Sequence, residues 1–173
     1  MGKKWKRLTR IGLIAGAEVA ADFFRPWRVK KALQDFVAEE ADFIIVPGCL
    51  LNIEGLNEKM AARIAEAKKN NKGYRFIHED RKKFCDEVIA EIVDNVLPPL
   101  KSKEGLLIKY WVFPCPLFEL KKDKYKIAAY IYENLARASV AKTKQEPHIR
   151  VGGDNELIEI EDDVAIRTLG IIM

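Results

Sequence analysis

The chain has 173 residues, of which 49% are hydrophobic and 32% charged, and its formal net charge is +4. This length suits one domain with a substantial apolar core, because domains cluster near roughly 100–150 residues. The sequence lacks an apolar run near the ~20 residues of a membrane-spanning helix, and its basic start lacks the long apolar region of a secretory signal. We therefore expect one cytoplasmic domain over residues 1–173.

The cysteines and the charged residues indicate which kinds of stabilisation the protein uses. Cys49, Cys85 and Cys115 are odd in number and form no CxxC pair. That pattern argues against a disulfide framework and against a structural zinc site. Most charged residues are Lys or Glu, and Gln occurs only at positions 34 and 145, a bias typical of heat-adapted proteins.

Four predicted strands alternate with four predicted helices after a basic tail over residues 1–9. The strands are predicted from apolar runs that stop at polar, Pro or Gly residues, at 10–15, 42–46, 74–77 and 106–113. The helices are predicted from apolar side chains at helical spacing, at 27–39, 57–70, 80–96 and 123–138. Pro26 suits the first turn of the first helix, and Asn57 is a candidate cap of the second.

The order of these elements predicts the fold class. Alternating strands and helices favour an α/β fold, here a mostly parallel sheet of about four βα units flanked by helices. Residues 148–173 change to short β-like segments, which predicts a small β-rich extension. A parallel sheet gathers the carboxyl ends of its strands on one edge, where ligands bind.

Polar side chains follow each predicted strand, and we expect them to meet at that edge. Cys115 follows the fourth strand, and the predicted ligand pocket comprises Glu18, Asp22, Asn52, Glu54, Glu79 and Asp80. Cys49 follows Pro47 and Gly48 and precedes a predicted helix, a position that can stabilise a thiolate. His78, one strand away, is its candidate base. The alternatives are a buried structural thiol and a hydrogen-bonded strand-end histidine.

Residues 41–52 carry a resemblance to a known family. Their sequence, an apolar strand leading into Pro-Gly-Cys-Leu-Leu-Asn, resembles the second motif of calcineurin-like metallophosphoesterases, where the strand leads into Gly-Asp. Gly48 matches, and Cys49 stands where the metal-bridging Asp would be. The first motif, Asp-x-His, would fall within residues 15–18, which do not supply both ligands. The third would fall near 76–79, where His78 and Glu79 match. The resemblance covers roughly the first 80 residues.

This resemblance implies a metal site that has lost its ligands. A two-metal phosphoesterase needs several His and Asp ligands around ions ~3.5–4 Å apart, and this chain has two histidines, His78 and His148. We therefore expect no metal and a non-catalytic module that acts as an interaction or nucleic-acid-associated domain. The sequence does not identify a cofactor. The alternative is a small α/β enzyme, a hydrolase if active, that uses Cys49 and His78 in a strand-end pocket.

An aromatic segment and several basic clusters are the candidate contacts with a partner. Phe23, Phe24 and Trp27 surround Arg25, and Lys and Arg concentrate at 3–10, 68–72 and 121–126. Such groups can bind a partner protein or the phosphates of nucleic acid. The alternative for the charge runs is a solvated face. The sequence is also compatible with a homo-oligomer.

Overall fold

The computed structural model describes residues 9–70, 73–144, 146–152, 157–161 and 164–167. In chain order the strands are β1 (Ile11–Leu13), β2 (Phe43–Pro47), β3 (Leu100–Lys101), β4 (Leu107–Phe113), β5 (Ile149–Val151), β6 (Leu157–Glu161) and β7 (Val164–Arg167). The helices are α1 (Pro26–Ala38), α2 (Ile53–Lys69), α3 (Tyr74–Glu91), α4 (Leu117–Leu120) and α5 (Ile127–Thr143), and a π-helical segment, Ile92–Val96, continues α3.

The predicted α/β class with a mostly parallel sheet is confirmed. β1 pairs with β2, β2 with β4, and β4 with β5, all in parallel, while the short β3 runs antiparallel beside the start of β4. β2 is buried at four of its five positions, which matches the run of consecutive apolar residues expected when helices cover both faces. In the extension, β6 and β7 pair antiparallel. The β-like segment predicted at 164–172 includes β7, but its remainder at 168–172 and most of the predicted basic tail lie outside the described residues.

The predicted strand at 74–77 is wrong, because these residues begin α3. Gly73 has extended backbone angles and precedes the first helical turn. The apolar side chains of Ile77, Phe84 and Val88 then continue one helical face. A four-residue apolar run is too short to separate a strand from a helix, and here the longer helical period prevails. The fourth parallel strand is instead β5, far along the chain.

The helix preceding this segment also starts earlier than predicted. Asn52, not Asn57, caps α2, since its side chain accepts a hydrogen bond from the Gly55 N–H. Asn57 lies inside the helix. The earlier start brings the amino end of α2 to the carboxyl edge of β2, where it forms one wall of the candidate site described below.

His148 belongs to the core. Its ring is fully buried beside Tyr110, and Nε2 lies 3.0 Å from the Leu97 carbonyl oxygen. Burial lowers the pKa of His148, so the ring is neutral at physiological pH. Within the residues described, no helix combines the length and apolar character needed to cross a membrane.

Candidate ligand-binding site

A cleft of about 650 Å³ opens at the carboxyl edge of the parallel sheet. The loops after β1, β2 and β4 form its floor, and the first turns of α2 and the segment 119–125 form its sides. Its size falls within the range of small-molecule pockets, roughly 300–1,000 Å³. Its place is the one at which open parallel sheets bind their ligands.

Three of the six predicted pocket residues line this cleft, Glu18, Asn52 and Glu54, and so does the predicted nucleophile Cys49. Asp22 does not line it and lies in the exposed turn before α1. His78, Glu79 and Asp80 also lie elsewhere, because the strand expected to carry them to the edge is the start of α3. Asp80 instead pairs with Arg63, at 3.7 Å between the charged atoms. The functional roles of all these residues stay predictions.

The segment after β4 contributes cleft residues that the predicted pocket lacked. Cys115 lies two residues beyond the end of β4, and Glu119, Lys122, Lys124 and Tyr125 come from α4 and the loop beyond it. Asn57 holds this loop, since its side chain bonds the Lys122 carbonyl at 2.9 Å and the Lys124 N–H at 3.1 Å. The sequence predicts Cys115 at this edge, because it follows the fourth predicted strand. The loop residues have no comparable signal in the sequence.

Asn52 ties the Glu18 carboxylate to the start of α2. Its Nδ2 donates to Glu18 Oε2 at 3.0 Å, while its Oδ1 accepts from the Gly55 N–H at 2.6 Å. Its own N–H donates to the Val19 carbonyl at 2.9 Å. The two side-chain bonds fix the orientation of the amide, and the backbone bond anchors residue 52 to the loop after β1. The carboxylate therefore sits near a helix amino terminus, where negative charge is favoured.

The loops that carry Glu18 and Cys49 are joined by their backbones. The Glu18 N–H donates to the Cys49 carbonyl at 2.9 Å, and the Val19 N–H donates to the Leu50 carbonyl at 2.8 Å. Glu18 (φ 48°), Cys49 (φ 46°) and Ala20 (φ 80°) all have left-handed backbone angles. Such angles are costly for residues with a side chain and persist only where the surroundings enforce them, often at functional sites.

Carboxylates outnumber ammonium groups around the cleft. The acidic residues are Glu18, Glu54, Glu58 and Glu119, and the basic ones are Lys122 and Lys124. One carboxylate is partly neutralised, since Glu119 lies 3.2 Å from the Lys122 ammonium. Buried Leu51 and Ile53 supply apolar surface between these charges. The cleft therefore offers negative charge beside an apolar wall.

The environment of Cys49 opposes the predicted thiolate. Partial removal from water raises the pKa of the Cys49 thiol, and negative charge on Cys115, Glu18 and Glu119 raises it further. A nucleophilic cysteine at neutral pH needs the opposite shift. His78 does not line the cleft, so the geometry gives no support to a Cys49–His78 pair.

The residues present do not fit the two-metal site of the resembling family. Cys49 takes the place of the bridging Asp, and of the first-motif segment 15–18 only Glu18 has a carboxylate. Across the part of the chain that the structure describes, no three His, Cys, Asp or Glu side chains are grouped so as to hold a metal ion.

The predicted aromatic segment forms a second surface, beside the edge strand β1. Phe23 and Trp27 are 62% and 61% exposed, whereas Phe24 packs partly against the core. Arg25 donates to two nearby carbonyls, and the Arg28 guanidinium lies 5.4 Å from the centre of the Trp27 ring. We call Phe23, Arg25, Trp27 and Arg28 the aromatic–arginine patch.

No protein-family model, curated protein or solved structure matches the chain. The resemblance to metallophosphoesterases therefore stays a prediction. The fold and the site define the class of protein, a mostly parallel α/β domain with a ligand-sized cleft at the carboxyl edge of its sheet.

Proposed function

We propose that this chain is a binding domain that holds a small cationic ligand, such as a primary amine, in the strand-end cleft. The observation that carries the proposal is the Glu18 carboxylate, which Asn52 holds in one orientation within a cleft richer in carboxylates than in ammonium groups. A carboxylate only accepts hydrogen bonds, so its natural partner is an N–H donor with positive charge.

The other walls suit the rest of such a ligand. Leu51 and Ile53 offer apolar surface to an alkyl stem, and Tyr125 also lines the cleft. A ligand with a charged nitrogen and a short apolar body would contact both kinds of surface. Binding at one charged anchor beside an apolar wall is typical of small-molecule sites.

This proposal agrees with the sequence-based expectation of a non-catalytic domain that resembles metallophosphoesterases. The cleft occupies the place in the sheet where the resembling family would bind its metals, but the donor set is absent from the described residues. A cleft at this edge of the sheet without that donor set among the described residues supports binding in place of hydrolysis. Turnover of a phosphodiester with Mn²⁺ at ordinary enzymatic rates would contradict it.

The test is calorimetric titration of the full chain with butylamine, agmatine and spermidine, with succinate and inorganic phosphate as anionic comparisons. We expect saturable binding of at least one amine and a loss of about tenfold or more in affinity for Glu18→Gln, because hydrogen bonds to charged groups contribute about 1.5–3 kcal/mol. Glu66→Gln is the matched control. It also replaces a glutamate by glutamine and removes one negative charge, but Glu66 lies on α2 and does not line the cleft. Equal losses in both variants, or binding of the anions alone, would overturn the proposal.

A second candidate function rests on the aromatic–arginine patch. We propose that it binds single-stranded nucleic acid, with Phe23 and Trp27 stacking on bases and Arg25 and Arg28 near phosphates. The support is the exposure of two large aromatic rings next to two guanidinium groups. Stacking on an aromatic side chain contributes about 1–3 kcal/mol per base and tolerates any sequence.

Fluorescence anisotropy with labelled oligo-dT and oligo-U at several salt concentrations tests this second function. Trp27→Ala should weaken binding about fivefold or more, and affinity should fall as salt rises because phosphate contacts release counterions. Phe118→Ala removes another exposed aromatic ring, 56% exposed on α4, and should leave affinity unchanged. Salt-independent binding, or equal losses in the two variants, would refute a role for the patch.

A further inference from the structure

Cys49 and Cys115 occupy matching positions beyond two neighbouring parallel strands. The register pairs Pro47 at the end of β2 with Phe113 at the end of β4, and each cysteine comes two residues later. The chains still run side by side at this point, since a side chain at Gly48 would lie 3.9 Å from the Pro114 carbonyl oxygen. Paired strands lie about 4.8 Å apart, so the two loops leave their strand ends at a spacing within the roughly 4.4–6.8 Å that disulfides span between Cα atoms.

The two thiols differ in exposure but share one environment. Cys49 reaches the surface of the cleft, whereas Cys115 is buried with Sγ 3.2 Å from the Tyr132 hydroxyl and 3.5 Å from the Leu51 carbonyl oxygen. Negative charge on Cys115 raises the pKa of Cys49, and negative charge on either sulfur raises the pKa of Tyr132. The two sulfurs are therefore close enough to influence each other electrostatically.

We propose that Cys49 and Cys115 form a redox-active dithiol that closes to an intramolecular disulfide at the cleft when a low-molecular-weight disulfide oxidises it. This inference concerns the same cleft as the amine proposal but does not depend on the identity of the ligand. The third cysteine, Cys85, is buried on α3 and does not line the cleft, so it takes no part.

The reaction proceeds in two exchanges. The exposed Cys49 loses its proton, and its thiolate attacks one sulfur of the oxidant, which forms a mixed disulfide and releases the first small thiolate. Cys115 then loses its proton and attacks the Cys49 sulfur, which releases the second small thiolate. The two protons are taken up by the two leaving thiolates. The two protein thiols are thus oxidised, and one oxidant disulfide is reduced to two thiols.

The experiment is oxidation of the full chain by oxidised glutathione, followed by peptide mapping with mass spectrometry. We expect a Cys49–Cys115 linkage in the wild type, with Cys85 left as a free thiol. Because desolvation and nearby negative charge raise the pKa of Cys49, and burial raises that of Cys85 to about 11, the rate should increase from pH 7 to pH 9 while Cys85 stays unmodified. A wild type that stops at a stable glutathione adduct on Cys49, or a linkage through Cys85, would overturn the proposal.

Variants separate the two steps. Cys115→Ala should accumulate the glutathione adduct on Cys49, and Cys49→Ser should form neither adduct nor linkage. The wild-type map decides the proposal even where a variant fails to fold. Amine titration of the reduced and the oxidised protein distinguishes this inference from the proposed function. Reduced protein that binds no amine counts against the amine site only, whereas a missing linkage counts against the dithiol only.

Discussion

Gly55→Ala should lower the free energy of unfolding by about 2–3 kcal/mol and weaken amine binding in the cleft. A Cβ atom at Gly55 would lie 2.4 Å from the Ala20 carbonyl oxygen and 3.1 Å from Asn52 Oδ1. The obstacle is backbone, and it is held in place, since Ala20 has a left-handed conformation and the adjacent Val19 is bonded to the loop after β2. The strain therefore cannot be relieved by turning a side chain. Helix α2 must move away from the loop that carries Glu18.

Urea unfolding at constant pH and salt measures this loss, and calorimetry with the amines measures its effect on the cleft. Gly73→Ala is the control. Gly73 precedes α3, and a Cβ there would have nothing within 4 Å, so only the preference for glycine over alanine at a helix cap is lost, within about 1 kcal/mol. If Gly55→Ala were as stable as Gly73→Ala, the close approach of α2 to the Ala20 loop would be disproved.

The parts of the fold that sequence reasoning predicted are those with a strong local signal. The consecutive Ile44, Ile45 and Val46 predict a strand buried on both faces, and the observed β2 begins and ends within one residue of the prediction. The same holds for β4, and the pairing of β1, β2 and β4 in parallel places their carboxyl ends together as expected. Three of the six predicted pocket residues, Glu18, Asn52 and Glu54, line the cleft at this edge.

The errors have a different physical origin. The sequence of Tyr74–Ile77 is apolar enough for a strand, but Ile77 also lies at helical spacing from Phe84 and Val88, and α3 forms. His78, Glu79 and Asp80 do not lie at the predicted site because they belong to this helix and not to the end of a strand. The wall formed by residues 119–125 depends on the contact between Asn57 and the Lys122 and Lys124 backbone. Such a contact between distant segments leaves no local pattern in the sequence.

The backbone of the site was also beyond sequence reasoning. Glycine is the residue usually found at left-handed backbone angles. Glu18 and Cys49 have such angles, but neither residue type indicates a left-handed conformation in a sequence. The two loops enforce these angles on each other through the bonds between Glu18, Val19 and the Cys49–Leu50 segment. The strain is a property of the paired loops, and it positions the Glu18 carboxylate beside Asn52.

Two substitutions at Asn52 should separate its two roles. Asn52→Ala removes both the cap of α2 and the bond to Glu18, so the free energy of unfolding should fall by about 2 kcal/mol. Serine caps a helix about as well as asparagine, but its shorter side chain has no amide to donate to Glu18 while it accepts from Gly55. Asn52→Ser should therefore retain about 1 kcal/mol more stability than Asn52→Ala.

Amine binding should respond differently from stability. Both variants release the Glu18 carboxylate from its fixed orientation, so both should bind the amine about tenfold more weakly, because the cost of ordering the carboxylate then falls on binding. Urea unfolding and calorimetry on the same preparations provide the two measurements. Asn52→Ser with wild-type affinity would show that Asn52 only caps α2. A parallel fall of stability and affinity in both variants would show that the cleft responds to α2 as a whole and not to the Asn52–Glu18 bond.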